Sequence, residues 1–235
     1  FWKNEDNLKL YESDVNEMTR FLIDEYGDSD EVSDGHVIMT FDIEVEMNSG
    51  LPDTDKAENT ITSVAFHDSA TNDYYVYVLS EGDEINKTIK GAKVRSFRTE
   101  EDMLVAFVNA WEEISPTIIT GWNIDFFDVT YLYNRLKRVL GTKQANRLSP
   151  IGKVHWNKYR KRYLIAGVSA LDYIALFKNF TYTEYPNYRL DTIAQLELGR
   201  GKIEYDGNLD QLFRDDIEKF IEYNLVDVEL VVDMD

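Results

Sequence analysis

Apolar and polar residues alternate strictly from Met39 to Glu46. A pattern of period two predicts a β-strand, here over 37–46, with one face on the core. Asp42, Glu44 and Glu46 then share the opposite face of the strand.

The remaining pattern predicts a mixture of strands and helices. Segments 61–67 and 74–79 are typical of strands and follow after short links, which predicts an antiparallel meander. Thr99 precedes a helical spacing of apolar residues that ends before Pro116. Further on, we predict a short strand at 117–121, a basic β-hairpin at 153–168, and helices near 125–141, 170–180 and 191–198, with a last helix capped by Asp215. This order favours an α/β fold with a mixed sheet flanked by helices.

The first 35 residues differ from the rest in being polar and acid-rich, with one helical stretch near Met18 and Phe21. We interpret residues 1–35 as a segment leading in from a preceding N-terminal domain, and residues 36–235 as one domain. Because the chain begins with Phe1 and ends within a predicted helix, we expect it to be a fragment of a larger protein.

Composition excludes several kinds of site. The 235 residues include no Cys and three His, which excludes disulfide frameworks, thiolate metal sites and cysteine nucleophiles. No apolar run approaches the roughly 18 residues of a membrane helix, and no signal peptide opens the chain. We therefore expect a cytoplasmic, monomeric protein with no membrane partner.

Charge is strongly segregated along the chain. The net charge is −19, which by itself argues against a nucleic-acid partner. Between Val129 and Leu171, however, there is no acidic residue, and Tyr133, Trp156, Tyr159 and Tyr163 lie among the basic ones. This window indicates either a local nucleic-acid footprint or a solvated basic surface. Its ten basic residues are Arg135, Lys137, Arg138, Lys143, Arg147, Lys153, Lys158, Arg160, Lys161 and Arg162.

Three groups of acids are candidates for chemistry. Asp-x-Glu occurs three times, and about two occurrences are expected by chance, but only Asp42 and Glu44 interrupt an apolar strand. There they either bind a hard divalent cation or lie on the wet face of a sheet. Asp128 follows a buried strand at a helix start, as a ligand or a capping acid. Tyr223 and Asp227 share one helix face, as site residues or as an interface tyrosine and a solvated acid.

Taken together, these groups resemble a known family. Segments 41–45 (FDIEV), 121–128 (GWNIDFFD) and 223–227 (YNLVD) are similar to the three motifs of the 3′→5′ proofreading exonuclease domain of family B DNA polymerases, which has the four-acid site of the DEDD nucleases. The polymerases of T-even-like bacteriophages are especially similar, also at 133–135, 147–150, 171–174 and 188–191. The resemblance covers residue 36 to the end, and no polymerase motif is present.

This resemblance implies a ribonuclease H-like exonuclease fold and a role for each acid. Asp42, Glu44 and Asp227 would bind one Mg²⁺ or Mn²⁺ ion, Asp42 and Asp128 would bind a second, and Tyr223 would orient the attacking water. The product would be a deoxynucleoside 5′-monophosphate. Glu46 departs from the phage pattern, where a small residue stands, so that it either crowds the site or adds a charge to it.

The implied partners are the 3′ end of single-stranded DNA at a primer terminus and the remaining domains of the parent polymerase, in the cytoplasm of an infected bacterium if a phage encodes the chain. Two alternatives remain open, a non-catalytic acidic interaction module and a DEDD nuclease acting on RNA. As DNA contacts we expect Asn123, Phe127, Lys158, Arg160, Lys161 and Arg162.

Overall fold

The computed structural model describes residues 15–29, 34–47, 50, 52–82 and 84–235. The chain divides into two compact units, Phe1–Gly35 and His36–Asp235. In the first unit, helix α1 (Glu17–Tyr26) begins after Asn16, whose side chain accepts a hydrogen bond from the Met18 N–H, and none of its residues is buried. Residues 1–14 and 30–33 of the predicted leading segment lie outside the described part, and its origin in a preceding domain stays a prediction.

The second unit contains the sheet and the other helices. Its strands are β1 (Ile38–Val45), β2 (Ile61–Asp68), β3 (Asp73–Leu79), β4 (Asn86–Ile89), β5 (Ala92–Phe97), β6 (Ile118–Gly121), β7 (Val154–Asn157), β8 (Arg162–Ile165) and β9 (Ser169–Asp172). Its helices are α2 (Glu100–Ile114), α3 (Asp128–Val139), α4 (Thr142–Ala145), α5 (Tyr173–Phe180), α6 (Leu190–Glu197), α7 (Leu209–Asp215) and α8 (Ile217–Met234), with a 3₁₀ turn at Asn146–Leu148.

Seven strands form one mixed sheet in the order β4-β5-β3-β2-β1-β6-β9. The predicted meander is confirmed, because β1 pairs with β2 and β2 with β3 in antiparallel register. On its other side β1 pairs with β6 in parallel, and β6 pairs with β9 in parallel. The predicted basic hairpin forms a separate two-stranded sheet from β7 and β8. This is the α/β class with a mixed sheet that the sequence predicts.

Helices cover both faces of the sheet. The odd-numbered residues of β1, including Phe41, pack with Phe107 and Trp111 of α2 and with buried residues of α3. On the opposite face, Ala65 of β2 packs with Leu225 of α8 in a second apolar cluster. The even-numbered residues of β1 therefore face α8 and not open water. None of the described helices has the length and apolar character needed to cross a membrane.

Several of the predicted elements differ from the structure, and β4, β5, α4 and α7 were not predicted. Segment 170–180 was expected to be wholly helical, but residues up to Asp172 belong to the four-residue strand β9, which is too short for a period to show. The edge strand β4 is polar and largely exposed, so it carries no strand signal. Asp215 ends α7, and Asp216 is the N-cap of α8, since its side chain accepts from the Lys219 N–H.

Gly121 is the last residue of β6 and lies against the backbone of β1. A Cβ atom at this position would be 2.5 Å from the Phe41 carbonyl oxygen and 2.6 Å from Ile124 Cγ2. We predict that Gly121→Ala lowers the free energy of unfolding by about 1–3 kcal/mol, because backbone must move to admit a methyl group. Urea denaturation measures the change. Gly82→Ala is the matched control, since its Cβ meets Ser80 Oγ at 3.7 Å. Equal losses in the two variants would contradict this explanation.

Candidate active site

Three carboxylates converge between β1 and α8. Asp42 and Glu44 lie on the face of β1 that α8 covers, and Asp227 lies on α8 itself. One oxygen from each of the three falls in a set whose members all lie within 4.8 Å of one another. The helix brings Tyr223 to the same place, one turn before Asp227. The strand acids were interpreted either as ligands of a cation or as residues on a solvent-exposed face of the sheet. Because α8 covers this face, the second interpretation does not describe the arrangement.

Asp128 belongs to the same cavity but not to that tight cluster. It is the first residue of α3, and its Oδ1 accepts a hydrogen bond from the Ile43 N–H at 3.2 Å. Together with the other three acids it lines a cavity of about 360 Å³. The apolar walls of this cavity include Trp122, Phe126 and Phe127. The four acids predicted from the sequence thus line one cavity. Asp42, Glu44 and Asp227 have oxygens within 4.8 Å of one another, and Asp128 lies on an adjoining wall.

Hydrogen bonds to Asp172 fix the backbone of the loop from β6 to α3. This residue, the N-cap of α5, accepts hydrogen bonds from the backbone N–H groups of Asn123 at 3.0 Å, Asp125 at 3.2 Å and Ile174 at 3.1 Å. Asn123 has a φ of +66°, a left-handed conformation that asparagine tolerates better than most residues. Asn123 and Phe127, both expected to contact DNA, line the cavity. The loop is therefore a fixed wall of the site.

Removal from water and mutual repulsion make the carboxyl groups weak acids. Burial, together with the charges of Asp128 and Glu44, raises the pKa of Asp42 well above its usual range. Burial and Asp227 raise the pKa of Glu44 to about 8, and burial raises the pKa of Asp128 to about 7. Burial also raises the pKa of Asp227, against the opposing effect of Lys202. The cavity therefore favours protons or cations over uncompensated negative charge.

Lys202 is a site residue that the sequence reasoning missed. Its Nζ lies 2.5 Å from Asp227 Oδ2 and 3.4 Å from the Tyr223 hydroxyl. Although burial alone would lower it, the pKa of Lys202 is raised by Asp227 and Tyr223, so the amine stays charged. Lys202 lies in the loop between α6 and α7, where neither periodicity nor spacing distinguishes it from any other lysine.

The donor set fits a hard divalent cation. All the converging ligands are carboxylate oxygens, which Mg²⁺ and Mn²⁺ prefer. Asp227 Oδ1 is buried and has no hydrogen-bond partner among the described residues. A buried carboxylate oxygen without a partner is costly in a folded protein, and a bound cation would satisfy it.

Glu46 does not join the carboxylates of β1. The register between β1 and β2 shifts between Glu44 and Val45, and Glu46 follows this irregularity. Its side chain lines a different groove, with Thr62, Arg98 and Asp210. Glu46 is not among the described residues that line the cavity of the four acids, so the expectation that it crowds the site or adds a charge to it is not supported.

The acid-free window does not form one basic surface. Arg135 is buried and bonds to Glu100, Arg147 pairs with Glu112, and Arg162 pairs with Asp125 of the β6–α3 loop. Exposed basic residues remain on α3, α4 and at the start of the hairpin, and three more lie together at the turn between β7 and β8.

In that turn, Lys158, Arg160 and Lys161 are exposed, and Tyr159 has 99% of its surface accessible. Trp156 is also exposed, at 39%. The hairpin tip thus combines exposed positive charge with exposed aromatic rings, and Arg162 joins the hairpin to the β6–α3 loop.

Comparison with known proteins identifies the family. The family model described as "DNA polymerase family B, exonuclease domain" matches residues 26–193. The chain belongs to this family. The DNA-directed DNA polymerase of Enterobacteria phage T4 is 35% identical over 92% of the chain, and that of Escherichia phage RB69 is 34% identical over 84%. DNA polymerase 1 of Saccharolobus solfataricus is 28% identical over 97% of the chain.

The chain spans about a quarter of the length of these relatives, 25% for the RB69 polymerase and 27% for each of the other two. The mixed sheet flanked by helices agrees with the ribonuclease H-like fold expected of the exonuclease family. Tyr223 and Asp227 lie beyond the residues that the family model matches, and their place in the site rests on the geometry of α8.

The raised pKa values predict an unusual pH dependence of stability without divalent ions. The unfolded chain has ordinary carboxyl pKa values of 3.8 and 4.5, against about 7 for Asp128 and about 8 for Glu44 in the fold. The folded state therefore binds more protons, and stability decreases as the pH rises through these folded-state values. In EDTA, we expect the urea midpoint to fall between roughly pH 5 and pH 9.

The double variant Glu44→Gln/Asp128→Asn is the control for this measurement. It removes both ionisations while keeping an oxygen that accepts from the Ile43 N–H, so its midpoint should fall less over the same range. A wild-type midpoint that increases with pH would show that the acids are not destabilised by burial.

Proposed function

We propose that this chain is the 3′→5′ exonuclease domain of a DNA-directed DNA polymerase, and that it hydrolyses the 3′-terminal phosphodiester of a DNA strand. The observation that carries the proposal is the convergence of Asp42, Glu44 and Asp227, with Asp128 on the adjoining wall and a buried oxygen of Asp227 left without a partner. Membership of the exonuclease family supports the same chemistry. The products are deoxynucleoside 5′-monophosphates.

The acids divide into two ligand groups. Asp42, Glu44 and Asp227 would hold one Mg²⁺ or Mn²⁺ ion, and Asp42 with Asp128 would hold a second. Two such ions supply an activated water and neutralise charge on the leaving 3′ oxygen. The protein fixes the ligands in advance, since β1, α3 and α8 are all anchored in the apolar clusters of the fold.

Tyr223 orients the attacking water and does not carry negative charge. Burial and the charge of Asp227 raise the pKa of Tyr223 above its usual range, so the phenol is neutral at pH 7. Its ring packs edge-on against Tyr205 at 5.2 Å, and its hydroxyl lies near Lys202. A neutral, held hydroxyl can accept or donate one hydrogen bond to a water without competing for a cation.

DNA would reach the cavity between the loop and the hairpin. Asn123 and Phe127 line the cavity, and Phe126 beside them is 69% exposed, which leaves an aromatic face for a terminal base. The hairpin tip, with Lys158, Arg160 and Lys161, supplies positive charge for the phosphate backbone. Arg162, also proposed as a contact, would act from its ion pair with Asp125.

The wider context of this domain follows from its relatives. We propose that the remaining domains of a polymerase deliver the primer terminus to this site, that the domain acts as a monomer, and that a phage-encoded enzyme works in the cytoplasm of the bacterial host. A DNA strand is favoured over RNA because the relatives are DNA-directed DNA polymerases. An interaction module without catalysis would not require buried, converging carboxylates.

Incubation with single-stranded DNA labelled at its 3′ or 5′ end tests the activity. We expect Mg²⁺-dependent release of 5′-monophosphates from the 3′ end, loss of cleavage in Asp42→Ala and Asp227→Ala, and a decrease of roughly ten- to a few-hundred-fold in Tyr223→Phe. Calorimetry should find metal affinity nearly unchanged in Tyr223→Phe. Faster degradation of an RNA strand of the same sequence would identify a ribonuclease, and metal-independent or absent cleavage would exclude the proposal.

Thermal unfolding separates these losses from misfolding. Asp42→Ala removes a repelled acid but also the acceptor of the buried Asn224 amide, and because these effects oppose each other we expect a melting temperature in EDTA close to that of the wild type. Asp227→Ala leaves the Lys202 amine without its ion-pair partner, so a lower melting temperature is expected for that variant.

Salt dependence tests the hairpin. Binding of single-stranded DNA should weaken with salt despite the net charge of −19, because phosphate contacts release counterions. Changing Lys158, Arg160 and Lys161 to Glu should reduce both the affinity and the slope of log affinity against log salt. The matched control changes the paired Arg147 to Glu, which should leave that slope unaltered. An unaltered slope in the triple variant would place the footprint elsewhere.

A further inference from the structure

A buried amide lies directly behind the strand acid of the site. Asn224, on α8 between Tyr223 and Asp227, has no accessible surface. Its Nδ2 donates a hydrogen bond to Asp42 Oδ2 at 2.8 Å. The bond joins α8 to β1 across 182 residues of sequence, at the carboxylate proposed to serve both cations. Asn224 itself is not among the described residues that line the cavity, so it reaches the site through Asp42.

The orientation of this amide is set by Ser63. The Ser63 hydroxyl, buried on β2, donates to Asn224 Oδ1 at 2.7 Å and also lies 3.1 Å from the Tyr77 carbonyl oxygen. When Asp42 is ionised, as a metal ligand is, it has only acceptors, so the amide then presents its NH₂ group to Asp42 and its oxygen to Ser63. Both polar atoms of the Asn224 side chain thus have a partner of the required kind.

Packing alone does not require an amide here. Apart from Asp227, the other buried positions of α8 are apolar, and among them Leu225 and Val228 pack on the same face of the sheet. A fully buried polar side chain is unfavourable unless its hydrogen bonds are made. At Asn224 both partners are polar, and one of them is a proposed metal ligand.

We propose that Asn224, oriented by Ser63, is the positioning residue of Asp42, and that it holds the carboxylate in the rotamer that binds divalent cations. This inference rests on the proposed function of the site. A hydrogen-bond donor on one carboxylate oxygen restricts rotation of the whole group and directs the remaining lone pairs into the cavity. Asn224 therefore acts on the cations only through Asp42.

Calorimetric titration of the whole chain with Mn²⁺ tests the inference. Asn224→Leu, of similar volume but without hydrogen bonds, should weaken Mn²⁺ binding by about 10- to 100-fold. Ser63→Ala removes only the support of the amide and should weaken binding by about 2- to 10-fold. In nuclease assays at fixed Mn²⁺, Asn224→Leu should lower kcat while KM for single-stranded DNA stays unchanged, because the DNA-contacting surface is not altered.

Val231→Ala is the matched control. Val231 is buried on the same helix, 1% exposed, and contacts a different apolar cluster. It should lower the melting temperature and leave Mn²⁺ affinity unchanged, which separates positioning from general loss of stability. If Asn224→Leu fails to fold by circular dichroism, Ser63→Ala decides the matter.

The outcomes distinguish this inference from the proposed function. A wild-type chain that binds Mn²⁺, together with Asn224→Leu and Ser63→Ala variants that bind it equally well, would overturn the positioning role and leave the exonuclease proposal standing. A wild-type chain that binds no Mn²⁺ would overturn both. If Val231→Ala weakens Mn²⁺ binding as much as Asn224→Leu does, the loss of affinity follows from lower stability of the fold. That result would also overturn the inference.

Discussion

Mutual repulsion among carboxylates at one place in the fold is the constraint around which this structure is organised. Four acids line a cavity of about 360 Å³, and burial raises the pKa of each of them. The protein offsets this in a specific way at three of the acids. Lys202 neutralises Asp227, the Ile43 N–H binds Asp128, and the Asn224 amide binds Asp42. The remaining excess of negative charge favours the binding of cations.

The architecture makes this concentration of charge possible by placing β1 near the middle of the sheet. Its odd-numbered residues are held in the core with α2 and α3, so the strand cannot move to relieve the repulsion. The parallel neighbour β6 leads into the start of α3, which brings Asp128 beside Ile43. The site is thus supported on both sides by apolar packing that contains no charge.

Much of this arrangement could be predicted from the sequence, and the exceptions have physical causes. The alternation around Asp42 and the helical spacing of Tyr223 and Asp227 are local patterns, and both elements form where predicted. Lys202 could not be predicted, because its role depends on a contact between a loop and a helix and leaves no periodic trace.

The basic window illustrates a further limit of the sequence. Sequence counts charges but not their partners, so Arg135 and Arg147 were grouped with Lys158, although the structure pairs both with acids from α2. Alternation likewise grouped Glu46 with Asp42. The register shift between Glu44 and Val45 interrupts the strand before Glu46, so alternation does not predict the position of that side chain. The roles of the individual acids, and the DNA contacts, stay predictions.

The order in which the site residues occur along the chain has a consequence for biosynthesis. Asp42 and its partner Asn224 are 182 residues apart, and Asp227 comes later still. During translation, β1 and most of the sheet leave the ribosome well before α8 can close over them. A nascent chain therefore contains the strand acids without the rest of the site, and the proposed cleavage of DNA would become possible only after the last of these elements has docked.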